Sequence, residues 1–313
     1  MADHKRYRLV TRSDFDGLVC AVLLKSRDMI DDVLFAHPKD VQDGKVLIGD
    51  RDITTNLPYS PQCHLAFDHH ASETVRLAGP SPRNLVLDPN APSASRVVYN
   101  HFGGKDAFPS VPLDMLAAVD KGDSAQFTKE EVLDPQGWVL LNFLMDARTG
   151  LGRFRTFGVS NYQLMMELIE ACRQHGNVDD ILRLPHVAER VALYREHQEP
   201  FRAQLQRCAK VHANLVVLDL RNEDPIYSGN RFVIYALYPQ CNISVHVIWG
   251  VKKQVTVFAM GKSILNRTSK TNIGNLALSY GGGGHEAAGT CQVANERAET
   301  VLGELIKRIT SDG

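Results

Sequence analysis

Four short apolar runs in the first ninety residues end at a carboxylate or an imidazole. Residues 33–36 stop at His37, 46–49 at Asp50, 65–67 at Asp68 and 85–87 at Asp88. Runs of three or four residues are too short for helices, and between them lie stretches with helical spacing. Residues 7–11 read as the first strand and 18–29 as a helix entered from an Asp-Gly turn. Short buried strands alternating with helices predict a parallel α/β sheet. In such sheets ligands bind beyond the carboxyl ends of the strands, where these polar side chains sit.

Further along, residues 93–102 open with Pro92-Ser93 and close at Gly103-Gly104, a capped helix. Residues 112–121 form another, and 136–208 read as mostly helix, with stops near Gly150, Gly158 and Gly176. The pattern then changes. Residues 215–220, 232–237, 243–249 and 255–260 are β-branched or aromatic, which predicts a second sheet, followed by helices at about 272–280 and 295–310. The expected organisation is an N-terminal parallel-sheet domain over 1–190, a helical connector over 191–212 and a smaller α/β domain over 213–313.

Composition narrows the function classes. No apolar run approaches the ~18 residues needed to span a bilayer, and the N-terminus has no signal-peptide core. Six scattered cysteines without a Cys-x-x-Cys pair fit thiols in a reducing cytoplasm better than disulfides or zinc. Net charge is −1, which argues against a protein that coats long nucleic acid. Residues 201–313 nevertheless carry 13 Lys+Arg against 8 Asp+Glu, so the acidic excess lies in the first part. That asymmetry suits cations on one side and an anionic ligand on the other.

Three constellations carry chemistry. In Ser13-Asp14-Phe15-Asp16-Gly17, two carboxylates at a strand end can hold a hard divalent cation; an ordinary capped turn is the plainer alternative. In Asp68-His69-His70, a strand end brings together imidazoles that suit Mn, Fe or Zn and a carboxylate able to orient one. In Gly281-Gly282-Gly283-Gly284-His285, consecutive backbone N–H groups are free to cradle phosphate, helped by a following helix N-terminus, with His285 donating to the same group.

Together and in this order, these motifs resemble the DHH phosphoesterase family with its DHH-associated C-terminal domain, over about residues 5–310. The resemblance implies a two-domain hydrolase with a cleft between its domains. It implies two divalent cations, usually Mn²⁺ with Mg²⁺ or Co²⁺ as alternatives. It assigns Asp14, Asp16, Asp50, His69 and Asp120 as metal ligands, Asp50 after the third strand bridging both ions, with Asp52 and Asp123 as substitutes for Asp50 and Asp120. Asp68 and His70 become catalytic, and Arg267, Gly282, Gly283, Gly284 and His285 bind substrate. One departure stands out. Many members carry a His four residues before the first Asp, here Val10, and some exonucleases carry an Asp two residues before it, here Arg12. The first metal site is then short of a ligand, or His37 completes it, or Arg12 meets substrate.

The expected activity is hydrolysis of dinucleotides or very short oligonucleotides to mononucleotides. A phosphatase of nucleoside bisphosphate, pyrophosphate or polyphosphate is the second reading, with Lys262, Arg267 and Lys270 gripping successive phosphates. A non-catalytic nucleotide sensor is the third. A short nucleotide is the expected partner, with no membrane and no long nucleic acid, and a homodimer is compatible with the sequence.

Overall fold

The computed structural model describes residues 6–77, 79–154 and 156–313. The chain divides into two compact units, Met1–Gln126 with Pro135–Leu193, and Phe127–Asp134 with Tyr194–Gly313. The division falls inside the helix Pro185–Cys208, and the short excursion Phe127–Asp134 has no signal in the sequence.

The first unit is built on β1 (Tyr7–Arg12), β2 (Ile30–Ala36), β3 (Asp52–Thr55), β4 (Leu65–Asp68) and β5 (Leu85–Leu87). Their order is β2-β1-β3-β4-β5 and every pairing is parallel. The chain reverses direction across the sheet between β1 and β3, the switch point where doubly wound sheets open a crevice. The helix Phe15–Ser26 is buried from Phe15 through Leu24 and packs against the helices Ala94–His101 and Asn161–Gln174. A helix enclosed on all sides needs no polar stripe, so its sequence is apolar all round.

The third strand is not the expected one. Residues 46–49 form no strand, and Leu47 is 85% exposed. The strand is Asp52-Ile53-Thr54-Thr55, buried throughout. Two of its three polar residues are paired: Thr55 Oγ1 donates to Thr11 Oγ1 at 2.7 Å, and Arg8 grips Asp52 with two hydrogen bonds of 2.8 Å. Burial of threonine in a sheet interior is inexpensive once the hydroxyl is paired.

The second unit holds a mixed sheet of order β10-β11-β9-β8-β7-β6. The strands are β6 (Ala209–His212), β7 (Leu215–Asp219), β8 (Ile243–Trp249), β9 (Val255–Lys262), β10 (Gly283–His285) and β11 (Ala288–Ala294). β7 and β8 run parallel and the other pairs antiparallel. Val245, Val247, Phe258 and Met260 form its core with Val301, Leu305 and Ile309 of the helix Ala298–Asp312. Each such side chain contributes ~1.5–3 kcal/mol on burial. Residues 232–237, expected as a strand, contain the helix Val233–Leu237 instead. Tyr235 anchors it by donating its hydroxyl to the Gly261 carbonyl at 2.8 Å, so this aromatic is a core residue.

No helix of the described residues is long and apolar enough to cross a membrane. All six cysteines are free thiols.

Candidate metal centre and glycine hairpin

The carboxyl ends of β1, β3 and β4 converge on one group of polar side chains. Gly17 makes this convergence tight, because a Cβ there would fall 2.0 Å from the Arg12 carbonyl oxygen. The helix that begins at Phe15 can therefore tuck beneath the end of β1. Asp14 caps that helix, accepting from the Gly17 N–H at 3.0 Å, and its other oxygen meets Arg12 Nε at 2.9 Å. Asp16, 3% exposed, reaches the N-terminus of the helix Ala94–His101. It accepts from the Ala94 N–H at 3.0 Å and the Ser95 N–H at 2.8 Å. Asn56 Nδ2, just past the end of β3, adds a third hydrogen bond of 2.9 Å.

His69 follows β4. Its Nδ1 lies 3.2 Å from the Ala91 carbonyl, which can only accept, so Nδ1 carries a proton and Nε2 is the ring atom turned toward the carboxylates, where a cation would take the place of its proton. Nε2 is buried without a well-directed hydrogen bond, although Asp123 Oδ2 stands 2.8 Å away. Donor atoms of Asp16, His69 and Asp123 all lie within 4.8 Å of one another. An imidazole oriented by a carbonyl, beside two carboxylates, is a donor set for a borderline divalent cation such as Mn²⁺. The donors therefore fit such an ion. Electrostatics agree: burial pushes Asp16 up to about 7, with repulsion from Asp123 and Asp14 adding to it. Asp14 is also raised by burial, and Arg12 works against the rise. For His69 burial acts downward, but the contact with Asp123 outweighs it and holds the ring up at about 9. Crowded carboxylates of this kind are relieved by a cation.

Asp68 and His70 form a second arrangement at the same strand end. Asp68 Oδ1 accepts from the His69 N–H at 2.8 Å and from His70 Nδ1 at 2.7 Å. The carboxylate fixes the His70 tautomer with its proton on Nδ1, and the hydrogen bond raises the ring above its ordinary value.

Two expected ligands lie elsewhere. Asp50 precedes β3, so it stands at the amino end of the sheet, opposite Asp14, Asp16 and His69. Asp52, its alternative, is engaged by Arg8 at the same amino end. The cause is the misread strand: with β3 at Asp52–Thr55, the residue beyond its carboxyl end is Asn56. Asp120 pairs with Arg96 and accepts from Ser93 Oγ at 2.7 Å. Asp123, one helical turn later in Leu113–Asp123, is the carboxylate that meets His69. His37 caps the helix Pro38–Gln42 through its Nδ1 and does not join the group.

In the second unit the glycine run does not lead into a helix. It pairs as β10 with β11, Gly283 opposite Thr290 and His285 opposite Ala288. A Cβ on Gly282 would fall 2.1 Å from the Thr290 carbonyl oxygen, which is why this approach requires glycine. β10 is an edge strand and Gly283, Gly284 and His285 are exposed, so the hairpin offers backbone N–H groups and an imidazole to solvent. Lys262 Nζ reaches Glu286 in the hairpin turn at 3.1 Å, while Arg267 is exposed and donates to the Ile264 carbonyl.

No protein-family model and no curated protein matches the chain. Among solved structures, it is similar to a pGpG-specific phosphodiesterase from Vibrio cholerae, with 62% identity and a TM-score of 0.88 over 98% of this chain and 100% of that one. RecJ from Thermus thermophilus in complex with Mn²⁺ shares the fold at 16% identity and TM-score 0.54, over 98% of this chain and 52% of RecJ. CDC45 from Entamoeba histolytica shares it at 10% identity and TM-score 0.54, over 98% and 96%. With an identity of 62% over nearly its whole length, and with Asp-x-Asp-Gly and Asp-His-His at the ends of neighbouring parallel strands, the chain belongs to the DHH phosphoesterase family and is a phosphoesterase.

Proposed function

We propose that the protein is a divalent-metal phosphodiesterase that hydrolyses linear dinucleotides, pGpG foremost, to mononucleotides in the cytoplasm. The observation that carries this reading is the Asp16–His69–Asp123 donor group beside His70, in a chain 62% identical to a pGpG-specific phosphodiesterase. Asp16, His69 and Asp123 would hold the ion, with Asp14 beside them, and Mn²⁺ suits the mixed oxygen and nitrogen donors. When bound, such an ion polarises a phosphoryl oxygen and lowers the pKa of water near it.

The chain's own residues do the rest. The Ala94 and Ser95 N–H groups fix Asp16, and the Ala91 carbonyl aims His69. Asp68 holds His70 with its proton on Nδ1, which leaves Nε2 to receive or deliver a proton at the phosphate. We propose that Gly283, Gly284, His285 and Arg267 contribute to nucleotide binding through exposed backbone and positive charge, and that Gly282, whose N–H donates to the Ala277 carbonyl at 2.9 Å, contributes by shaping the hairpin. The free thiols support a reducing compartment.

The test is a hydrolysis panel on metal-stripped protein reloaded with Mn²⁺, Mg²⁺ or Co²⁺. Substrates are pGpG, other linear dinucleotides, cyclic dinucleotides, a ten-nucleotide strand, nucleoside bisphosphate, pyrophosphate and polyphosphate. The expected result is kcat/KM highest for pGpG with Mn²⁺ and falling with chain length. Activity confined to bisphosphate, pyrophosphate or polyphosphate would overturn the reading.

A further inference from the structure

Resting on that reading, we propose that the substrate-free enzyme holds one divalent ion, and that a second ion enters only with the substrate phosphate. The resemblance implies two resident ions bridged by a carboxylate after the third strand. Here that place is taken by Asn56, 1% exposed at the end of β3.

An amide cannot serve as that bridge. It is neutral and has a single acceptor oxygen, and its NH₂ repels cations. The orientation of Asn56 is set by Asp16, because turning the amide over would press two oxygens together where Nδ2 now donates at 2.9 Å. Its Oδ1 is buried without a hydrogen-bond partner, so it offers one neutral donor.

Asp16 cannot bridge either. A carboxylate has about four lone-pair positions. Three are taken by the N–H groups of Ala94, Ser95 and Asn56, which leaves one for a single ion. Asp14 keeps two positions by the same count, but the Arg12 guanidinium 2.9 Å from its Oδ2 sets a positive charge where a second cation would have to approach. The charges agree with this count. Asp14, Asp16 and Asp123 are three carboxylates and Arg12 offsets one of them, so, with Asp68 set against His70, one divalent ion brings the donor group to neutrality. A second ion would leave a buried excess of positive charge until a phosphate supplied the matching anion, and uncompensated buried charge is costly.

The experiment is a Mn²⁺ titration of the metal-stripped full-length protein, followed by electron paramagnetic resonance and metal analysis. Expected is one bound Mn²⁺ per chain, with the spectrum of an isolated ion. Adding a non-hydrolysable phosphonate analogue of pGpG should raise the count to two and produce a spin-coupled spectrum. Asn56→Asp should take two ions without the analogue. Two tightly bound ions in the substrate-free wild type overturn the inference and leave dinucleotide hydrolysis standing. So does a count that stays at one with the analogue present. Failure to cleave any dinucleotide while an ion is bound overturns the functional reading instead. The wild-type titration decides the matter even where the variant fails to fold.

Discussion

His69 Nε2 stands 2.8 Å from Asp123 Oδ2, and this contact joins the end of β4 to the last turn of the helix Leu113–Asp123. Asp120, one turn earlier, faces Arg96 and Ser93 instead. Asp123→Asn should therefore lower Mn²⁺ affinity and kcat/KM by at least about 10–100-fold, the range for losing a group that merely supports a ligand. Asp120→Asn should keep its metal and lower thermal stability. Metal analysis of both variants separates the two carboxylates.

Asp50 and Asp52 should behave unlike metal ligands. Asp50 is exposed at the amino end of the sheet, so Asp50→Ala should leave activity intact and change stability by less than ~0.5 kcal/mol. Asp52→Asn leaves Arg8 without its partner and should cost about 1–3 kcal/mol, less than a fully buried pair because Arg8 is partly solvated. Urea unfolding and a dinucleotide assay measure the two effects.

Asp68 should act on turnover more than on metal content. Asp68→Asn removes the carboxylate that fixes the His70 tautomer, and kcat should fall by about 10²–10⁴-fold, typical of lost acid–base function. Bound Mn²⁺ should change little. A variant that loses its ion in parallel with its activity would show that Asp68 supports the donor group itself.

Glu223 gives the second unit a pH-dependent tie. Its hydrogen bonds with Arg207 and then Gln204 hold its carboxyl down at about 2. A depressed folded-state value stabilises above the unfolded value of ~4.3, and that contribution is lost as pH falls from there toward about 2. Glu223→Gln should melt below wild type at pH 7, and the gap should close between about pH 4.5 and 2.5. Thermal unfolding across that window reads the difference.

His285→Ala and Arg267→Ala should keep wild-type metal content while raising KM for pGpG several-fold. Both side chains lie in the second unit, whereas the donor group lies in the first. Loss of Mn²⁺ from either variant would contradict this assignment.

Much of the donor group was legible because it is local. Asp14 and Asp16 flank one turn, and His69 and His70 follow a four-residue strand, so pattern and position agree. What could not be read depended on register. Residues 46–49 look more like a strand than Asp-Ile-Thr-Thr does, and only pairing with β1 shows that the threonines are interior. That single displacement put Asp50 in place of Asn56. Asp120 and Asp123 share one helix, and which of them faces His69 depends on how the helix packs. The glycine run was recognisable, but its partner is β11, and a strand pairing is invisible in the run itself.

The excursion Phe127–Asp134 has a consequence for biosynthesis. Phe127 and Val132 are buried, and the carbonyls of Val132 and Leu133 accept from Asn230 and Arg202, which emerge from the ribosome much later. At ~5–20 residues per second, the apolar side chains of Phe127 and Val132 wait for several seconds before the segment that covers them exists. A gene fragment ending near residue 193 would leave it permanently uncovered. Such a fragment should be sticky, rescued by co-expression with the remainder of the chain or by trimming out residues 127–134.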